Sequence, residues 1–537
     1  MLLRYIKNSV ASHCVENVPL RFGQRQLSMG LLDMQKVLTR EDIKSSSIAY
    51  AEQSDTEWSR ALPYNSLPGP SRLRLIKEVL PGGKYYNVNM MELNRLLRET
   101  YGDIYLVKGL FGREDTVFTY NPHDFEIMFR NEGVWPYRVG LQTFNYYRKK
   151  KRPEVFHDIG GLVSEQGKAW GDIRSKVNPI MMKTQTIREN LPQIDVIAQE
   201  FTKRLESMRV IGDNHIKCNF LEEVQKWAFE SISFIALNKR MGLFGDNPDQ
   251  KALTLAHNMA LFFQFSYEFD VKPSVWPYVH TPAFKEFLTV YDNITDITLS
   301  YIEQEISELQ RRGNQEAKSV LEKLLKIDKH IALVMVMDML MAGIDTTAST
   351  LISVLYMLAT NPEKQLRLRE EICELLPAPW SPLTSENTKN MPYLRACLKE
   401  SLRIMPITPG NMRTTIKDLV LSGYQIPAGS NVLMGVMPLA NTDKYFPKSE
   451  KFLPERWLKN EESTGLRSKN AFVYAPFGMG PRTCIGKRVA EMEIETLITR
   501  LIRNYHISWS GKEKLKYESN IITKPCGEIK FQFEPLR

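Results

Sequence analysis

The sequence predicts one large domain, mainly α with a minor β part, and three observations carry that reading. Apolar residues recur at spacings of three and four through 188–209, 219–240, 249–265, 283–311 and 328–359, as in helices that bury one face. Strand-like alternation is confined to a short stretch after Tyr101 and to 419–436, after Arg413. The 537 residues are 43% hydrophobic and 25% charged, enough for a large core, and no internal repeat or low-complexity tract divides them.

The first thirty residues hold Arg4, Lys7, Arg21 and Arg25 against Glu16 alone, with several serines, which is the composition of a mitochondrial transit peptide. A disordered basic tail is the plainer alternative. No run of about twenty apolar residues stands here, so a spanning anchor is not expected. Cleavage is expected near Arg25 to Gly30, and a mature protein that kept Met1 would exclude it. Residues 31–60 are polar and acidic and read as a linker, after which Pro63, Pro68 and Pro70 stiffen the start of the main domain, 61–537. The net charge of +9 is spread without long Lys/Arg blocks, which argues weakly for an acidic protein partner and against nucleic acid. Six cysteines, widely spaced and without C-x-x-C, fit a reducing compartment.

Tyr101 to Val107 and Thr116 to Tyr120 read as a β-hairpin, and Asn121-Pro122 as a helix start. The helical run is broken at Asp270 to Pro277. Phe262, Phe263, Phe265, Tyr267, Trp276 and Tyr278 around that break suit either a membrane-facing loop or an aromatic core. The alternation over 419–436, interrupted at Gly423 and at Pro427-Ala428-Gly429, reads as a second hairpin.

Chemistry concentrates in Phe477-Gly478-Met479-Gly480-Pro481-Arg482-Thr483-Cys484-Ile485-Gly486 and the helical run 487–503. Three glycines around one cysteine let backbone approach a flat ligand closely, and a helix starting just after Cys484 sets its positive end near the sulfur. Both favour a thiolate. A small buried apolar cysteine is the alternative. At 342–347, Ala342-Gly343-Ile344-Asp345-Thr346-Thr347 places a glycine, an acid and two β-branched hydroxyls in the middle of a very apolar helix, at a cost in helix propensity. A threonine there can bond back to the carbonyl four residues earlier and open the ladder.

The 477–486 stretch resembles the haem-thiolate signature of the cytochrome P-450 family, a pattern that arises by chance in a chain this long about once in ten thousand. The mitochondrial, insect-type branch is the nearest likeness, through Arg130 to Pro136 and Phe477 to Arg488. The resemblance covers about 60–535 and implies the family's triangular α-rich fold. It implies haem b as cofactor, with Cys484 as axial ligand of the iron, and Phe477, Arg482 and Gly486 shaping the site. A thiolate in that place pushes electron density toward bound dioxygen and promotes O–O cleavage. Ala342 and Gly343 are implied at the oxygen pocket, Asp345 and Thr346 in the proton path.

Three further constellations take their meaning from the same resemblance. Glu400 and Arg403 lie three apart on one helical face and Arg456 follows in Phe452 to Trp457; the three are implied to form a buried network that fixes the cysteine loop. Trp170 and Arg174, four apart, join Arg413 and Arg482 as implied donors to the haem propionates, although the first two alone could be a surface cation–π pair. Arg395, Lys399, Lys487 and Arg488 stand where the mitochondrial branch carries basic residues for docking an acidic ferredoxin, and a merely solvated basic face is the alternative.

The implied reaction inserts one atom of dioxygen into a lipophilic small molecule, steroid-like or foreign, with electrons from NADPH through an adrenodoxin-like ferredoxin and its reductase, at the matrix face of the inner mitochondrial membrane and with peripheral membrane association. No flavin or dinucleotide motif is visible, in keeping with an external electron supply. The substrate pocket is expected from 134–163, the stretch around Phe262, 339–342, 407–410 and 521–523. A haem-thiolate isomerase, a hydroperoxide-rearranging enzyme or a non-catalytic haem protein is the alternative, and none of these needs the Asp345-Thr346 pair.

Overall fold

Side-chain caps fix where many of the helices begin. Asn121 accepts the His123 N–H at 3.1 Å, with Pro122 in the first helical position, and Asp328 accepts the N–H groups of both His330 and Ile331. The computed structural model describes residues 57–536 except 111–112, 211, 246–247, 313–318 and 460–464. The leader expected over 1–30 lies outside the described residues, and of the linker expected over 31–60 only 57–60 are described, as a helical turn. The chain divides into residues 1–60 and residues 61–537, and the second unit holds all the elements named below.

Among the described residues, the helices of eight residues or more are α1 (Arg72–Val79), α2 (Met90–Tyr101), α3 (Pro122–Arg130), α4 (Gly167–Met181), α5 (Leu191–Met208), α6 (Phe220–Leu237), α7 (Gln250–Ser266), α8 (Pro282–Arg312), α9 (Lys329–Ala359), α10 (Pro362–Leu375), α11 (Pro392–Ile404) and α12 (Lys487–Asn504). The five helices expected from periodicity are α5 to α9, each within about a turn of its expected bounds. α9 is long and apolar enough to cross a membrane, yet it is mostly buried inside the protein. It packs along α6 and also meets α8, α10, α11 and α12. Each large apolar side chain it buries contributes about 1.5–3 kcal/mol, which outweighs the roughly 1 kcal/mol that Gly343 costs the helix.

The β part is small. β1 (Ile104–Val107) and β2 (Thr116–Thr119) form the expected hairpin. The second expected hairpin is shorter than 419–436. β4 (Leu419–Leu421) and β5 (Tyr424–Ile426) turn at Ser422-Gly423, both at positive φ, the turn geometry that matches strand twist. β6 (Asn431–Met434) leaves that hairpin to lie between β2, parallel, and β3 (Asn411–Thr414), antiparallel, giving the order β1-β2-β6-β3. Pro427 to Gly429 make the corner that redirects it. This sheet has its own smaller core beside the helical one.

The aromatic residues around 262–278 divide between the two expected roles. Phe262 is buried, with its ring 5.1 Å from Phe144 and 5.3 Å from Tyr291, and Trp276 is buried with its indole N–H donating to the Phe269 carbonyl at 2.8 Å. Phe263 and Phe265 pack against the same core. Tyr278 alone of the six is well exposed, at 73%, beside exposed Val275 and Val279. Of the two readings, the aromatic core takes most of these side chains, drawn inward by ring packing, and the outward-facing reading is left with Tyr278.

Candidate active site

The cysteine loop is closed by its own backbone. Cys484 N–H donates to the Phe477 carbonyl at 2.9 Å, and Gly478 and Gly480 both stand at positive φ. Gly480 is further required because a Cβ there would collide with the Glu132 carboxylate. Gly486 caps α12, so the N–H groups of Gly486 and Lys487 draw the Cys484 thiol toward its ionised form, as do the guanidinium groups of Arg174 and Arg138; burial acts more strongly and pushes the thiol up. A thiolate here therefore needs a cation at the sulfur. Cys484 lies deep yet remains accessible, and Ala342 on α9 is also accessible.

On α9 the Thr346 hydroxyl donates to the Ala342 carbonyl at 2.6 Å, the backward bond expected of it. Gly343 turns toward α6, where the Ile232 side chain fills the place of a Cβ, so its absent side chain permits the close approach of two helices. Asp345 accepts from the Gln225 amide of α6 at 2.7 Å; burial pushes its carboxyl above the usual range. Thr347 faces Glu493 of α12 at 3.5 Å, a fully buried carboxyl that burial holds far above its ordinary value.

Four arginines gather near Cys484. Arg174 donates to the Thr483 carbonyl at 2.7 Å. The Arg482 guanidinium stacks 3.9 Å from the Trp170 ring and donates to the Pro136 and Glu165 carbonyls, both at 2.9 Å, and to the Gln166 side chain at 3.0 Å. Arg413 pairs with buried Glu132 and donates to the Met479 carbonyl at 2.9 Å. The fourth, Arg138, was not singled out from the sequence, and its guanidinium meets no acceptor among the described residues. Burial, then repulsion from Arg138, Arg413 and Arg174, brings Arg482 down to about 9; burial and the same kind of repulsion bring Arg138 to about 10. One carboxylate against four cations leaves a positive surplus that suits an anionic ligand beside the sulfur.

The loop is braced from behind. Arg403 donates to both Glu400 oxygens at 3.0 and 2.9 Å, and the Arg456 Nε donates to Glu400 Oε1 at 3.0 Å, all three side chains being excluded from solvent. The Trp457 indole N–H completes the carboxylate at 2.9 Å, a partner the sequence did not reveal. Arg456 also donates to the Leu466 carbonyl, and Tyr474, three residues before Phe477, packs on Trp457 with ring centroids 4.4 Å apart.

The sequence model of the cytochrome P450 family matches residues 67–533. The chain belongs to the cytochrome P450 family. It is 54% identical over 488 residues to probable cytochrome P450 12b2, mitochondrial, of Drosophila melanogaster, covering 90% of this chain and 91% of that one. It is 53% identical over 511 residues to cytochrome P450 12b1, mitochondrial, of Drosophila acanthoptera, covering 94% and 95%. The fold is that of the cytochrome P450DA heme domain, with a TM-score of 0.70 at 19% identity over 89% of this chain and 98% of that one.

This cytochrome P450 is a haem-dependent monooxygenase. The site fits its cofactor: the haem carries two propionates, for which the surplus of guanidinium groups is suited, and its iron accepts a soft ligand such as the Cys484 sulfur. Arg413 and Arg482 already hold much of their donor capacity in protein contacts, whereas Arg138 and Arg174 keep most of theirs.

The four basic residues expected to dock a partner are not alike in this cytochrome P450. Arg395 is committed internally, to Glu495 at 3.1 Å and to the carbonyls of Thr388 and Lys389. Lys399 is lowered by burial and by the charges of Arg467 and Lys487 close by. Lys487 and Arg488 have Glu491 only at 3.9 and 3.6 Å, and Arg488 is the more exposed of the two.

Proposed function

We propose that this cytochrome P450 inserts one atom of dioxygen into a lipophilic small molecule, steroid-like or foreign, with Cys484 as the residue that would ligate the iron of haem b. The observation that carries the reading is the pairing of a deep, accessible Cys484 with a surplus of buried guanidinium charge around it. Bound haem supplies dioxygen activation, and the thiolate makes O–O cleavage favourable. The residues of the chain do the rest. Arg138 and Arg174 would hold the propionates, and Trp170 is stacked on Arg482. The Phe477 carbonyl accepts the Cys484 N–H, Gly486 stands beside the sulfur, and the Glu400–Arg403–Arg456 network keeps the loop in place. Asp345, held by Gln225 and with its carboxyl pushed by burial above the usual carboxylate range, passes protons to the Thr346 hydroxyl beside Ala342, and Gly343 keeps α9 seated on α6 so that this path stays aligned.

The pocket is drawn from 134–163, the stretch around Phe262, 339–342, 407–410 and 521–523, several of which are joined to one another. The Thr523 N–H donates to the Ile407 carbonyl at 2.7 Å, Leu162 is bonded to α9, and Phe262 meets Phe144. These walls are apolar, which favours a lipophilic substrate.

Electrons come from NADPH through a reductase and an acidic ferredoxin that docks on Lys399, Lys487, Arg488 and neighbouring Arg467. Relatives at 54% and 53% identity carry the word mitochondrial in their names, and the chain's opening composition agrees. The protein is assigned to the matrix face of the inner membrane, with Val275, Tyr278 and Val279 as the peripheral contact. A reconstituted assay tests this: NADPH is consumed and an oxygenated product formed only with the ferredoxin system present. Turnover of a hydroperoxide without reductant would overturn it in favour of a rearranging enzyme.

A further inference from the structure

A buried ion pair on α9 lies outside the machinery described so far. Arg148 and Asp338 meet at 2.7 Å with side-chain exposures of 0% and 7%. Asp338 stands four residues before Ala342, hence one turn, about 6 Å, along the same face of α9. Its other oxygen accepts the Leu162 N–H at 3.1 Å, and Arg148 donates to the Gly160 carbonyl at 2.7 Å. Between these two bonds sits Gly161, at positive φ, where a Cβ would run into Arg148, Asp338 and Val334. The pair thus grips the turn 160–162 from both sides.

The same segment is held at its other edge by the cysteine loop. Arg482 donates to the Leu162 carbonyl at 3.4 Å and to the Glu165 carbonyl at 2.9 Å. Glu165 in turn accepts the Gly160 N–H at 2.8 Å and pairs with Lys149. Residues 160–166 are therefore a strap from the helix that carries Ala342 to the loop that carries Cys484. A buried pair adds little net stability over an apolar one, so its retention here calls for a positional reason.

We propose that the Arg148–Asp338 pair is a positioning element for substrate, setting how far the 160–162 turn stands from α9 and so how wide a molecule the site admits. This rests on the reading of Ala342 as the oxygen side of a haem site. Two iron-binding azoles separate the two ideas: imidazole, which reports on the iron alone, and clotrimazole, whose three aryl rings must fit against the surrounding walls.

The test compares Asp338→Asn with the unsubstituted holoenzyme. Clotrimazole affinity is expected to fall about tenfold, the loss of one hydrogen bond to a charged group, while imidazole affinity and the reduced carbonyl spectrum stay within about twofold. Amide exchange at Leu162 should quicken, and Asp338→Glu should restore both readouts. Should Asp338→Asn fail to fold with Arg148 left unpaired, the double variant Arg148→Met with Asp338→Leu removes both charges and carries the same expectation. Equal shifts for the two azoles, or no shift in either, would overturn the positioning role. Absence of any azole spectrum from the unsubstituted protein would instead sink the haem reading beneath it.

Discussion

Glu400 of α11 and Arg456, 56 residues apart in sequence, are hydrogen-bonded at 3.0 Å with both side chains fully withdrawn from solvent. Arg403 completes the set, and each arginine reaches on to backbone carbonyls: Ala440 and Ser449 for Arg403, Lys448 and Leu466 for Arg456. Removing Arg403 takes one of two cations from a buried carboxylate, which keeps Arg456 and the Trp457 indole, and leaves the Ala440 and Ser449 carbonyls without this donor, at a cost of roughly 3 kcal/mol. Arg403→Ala is expected to yield protein without haem, read as the haem-to-polypeptide ratio after purification.

Arg138 and Arg413 should behave oppositely. Among the described residues nothing accepts from the Arg138 guanidinium, so Arg138→Gln is expected to release haem about tenfold faster to apomyoglobin, with little change in melting temperature. Arg413→Gln leaves Glu132 buried and unpaired, so it should lower the melting temperature even of protein that has kept its haem.

Asp345→Asn keeps the Gln225 contact but cannot hand on a proton. Product formation should fall about a hundredfold, while substrate binding and the reduced carbonyl spectrum hold. Hydrogen peroxide should appear in place of product, measured against NADPH consumed.

Glu493 gives a stability prediction with a defined sign. Burial pushes its carboxyl well above the usual carboxylate range in the folded chain, with Thr347 at 3.5 Å and Oε1 without a partner among the described residues. Below about pH 4.3 folded and unfolded chains both keep the proton; above it only the unfolded chain loses it, so stability falls by about 1.4 kcal/mol per pH unit until the raised folded value is reached. Glu493→Gln does not titrate. Its melting temperature relative to the unsubstituted protein should therefore rise as the buffer is taken from pH 4 to pH 8.

On the basic face, Lys487→Glu with Arg488→Glu should raise the ferredoxin concentration needed for half-maximal turnover and flatten its dependence on salt, since exposed charge acts mainly on encounter. Arg395→Glu is expected to behave differently, lowering the melting temperature through lost contacts with Glu495, Thr388 and Lys389.

Much of this was legible in the sequence where the signal is local. Cys484 among its glycines, the 342–347 motif and the periodic helices all rest on residues close in the chain. The same holds for Glu400 and Arg403 as a pair. What stayed hidden depends on partners brought together only by folding. Arg413 meets Glu132 across 281 positions, Arg148 meets Asp338 across 190, and Gln225 meets Asp345 across 120. Arg138 carried no motif at all; only its neighbours make it notable. Gly343 shows a subtler limit, because its packing reason, Ile232, lies on a helix whose face the sequence does not specify. The aromatic stretch at 262–278 left two readings open for the same cause: periodicity says that rings share a face, not what covers it.

Arg482 and Pro136 are joined by a hydrogen bond spanning 346 positions, and the strap between them ends on the same guanidinium. Contacts so distant in sequence form late, because a long loop must close before they can be made. A chain threaded end-first through a translocation pore therefore cannot assemble this pocket while it is still in transit. Capture of the cofactor has to wait until nearly the whole polypeptide has been delivered, and fragments arrested midway have no grip on it.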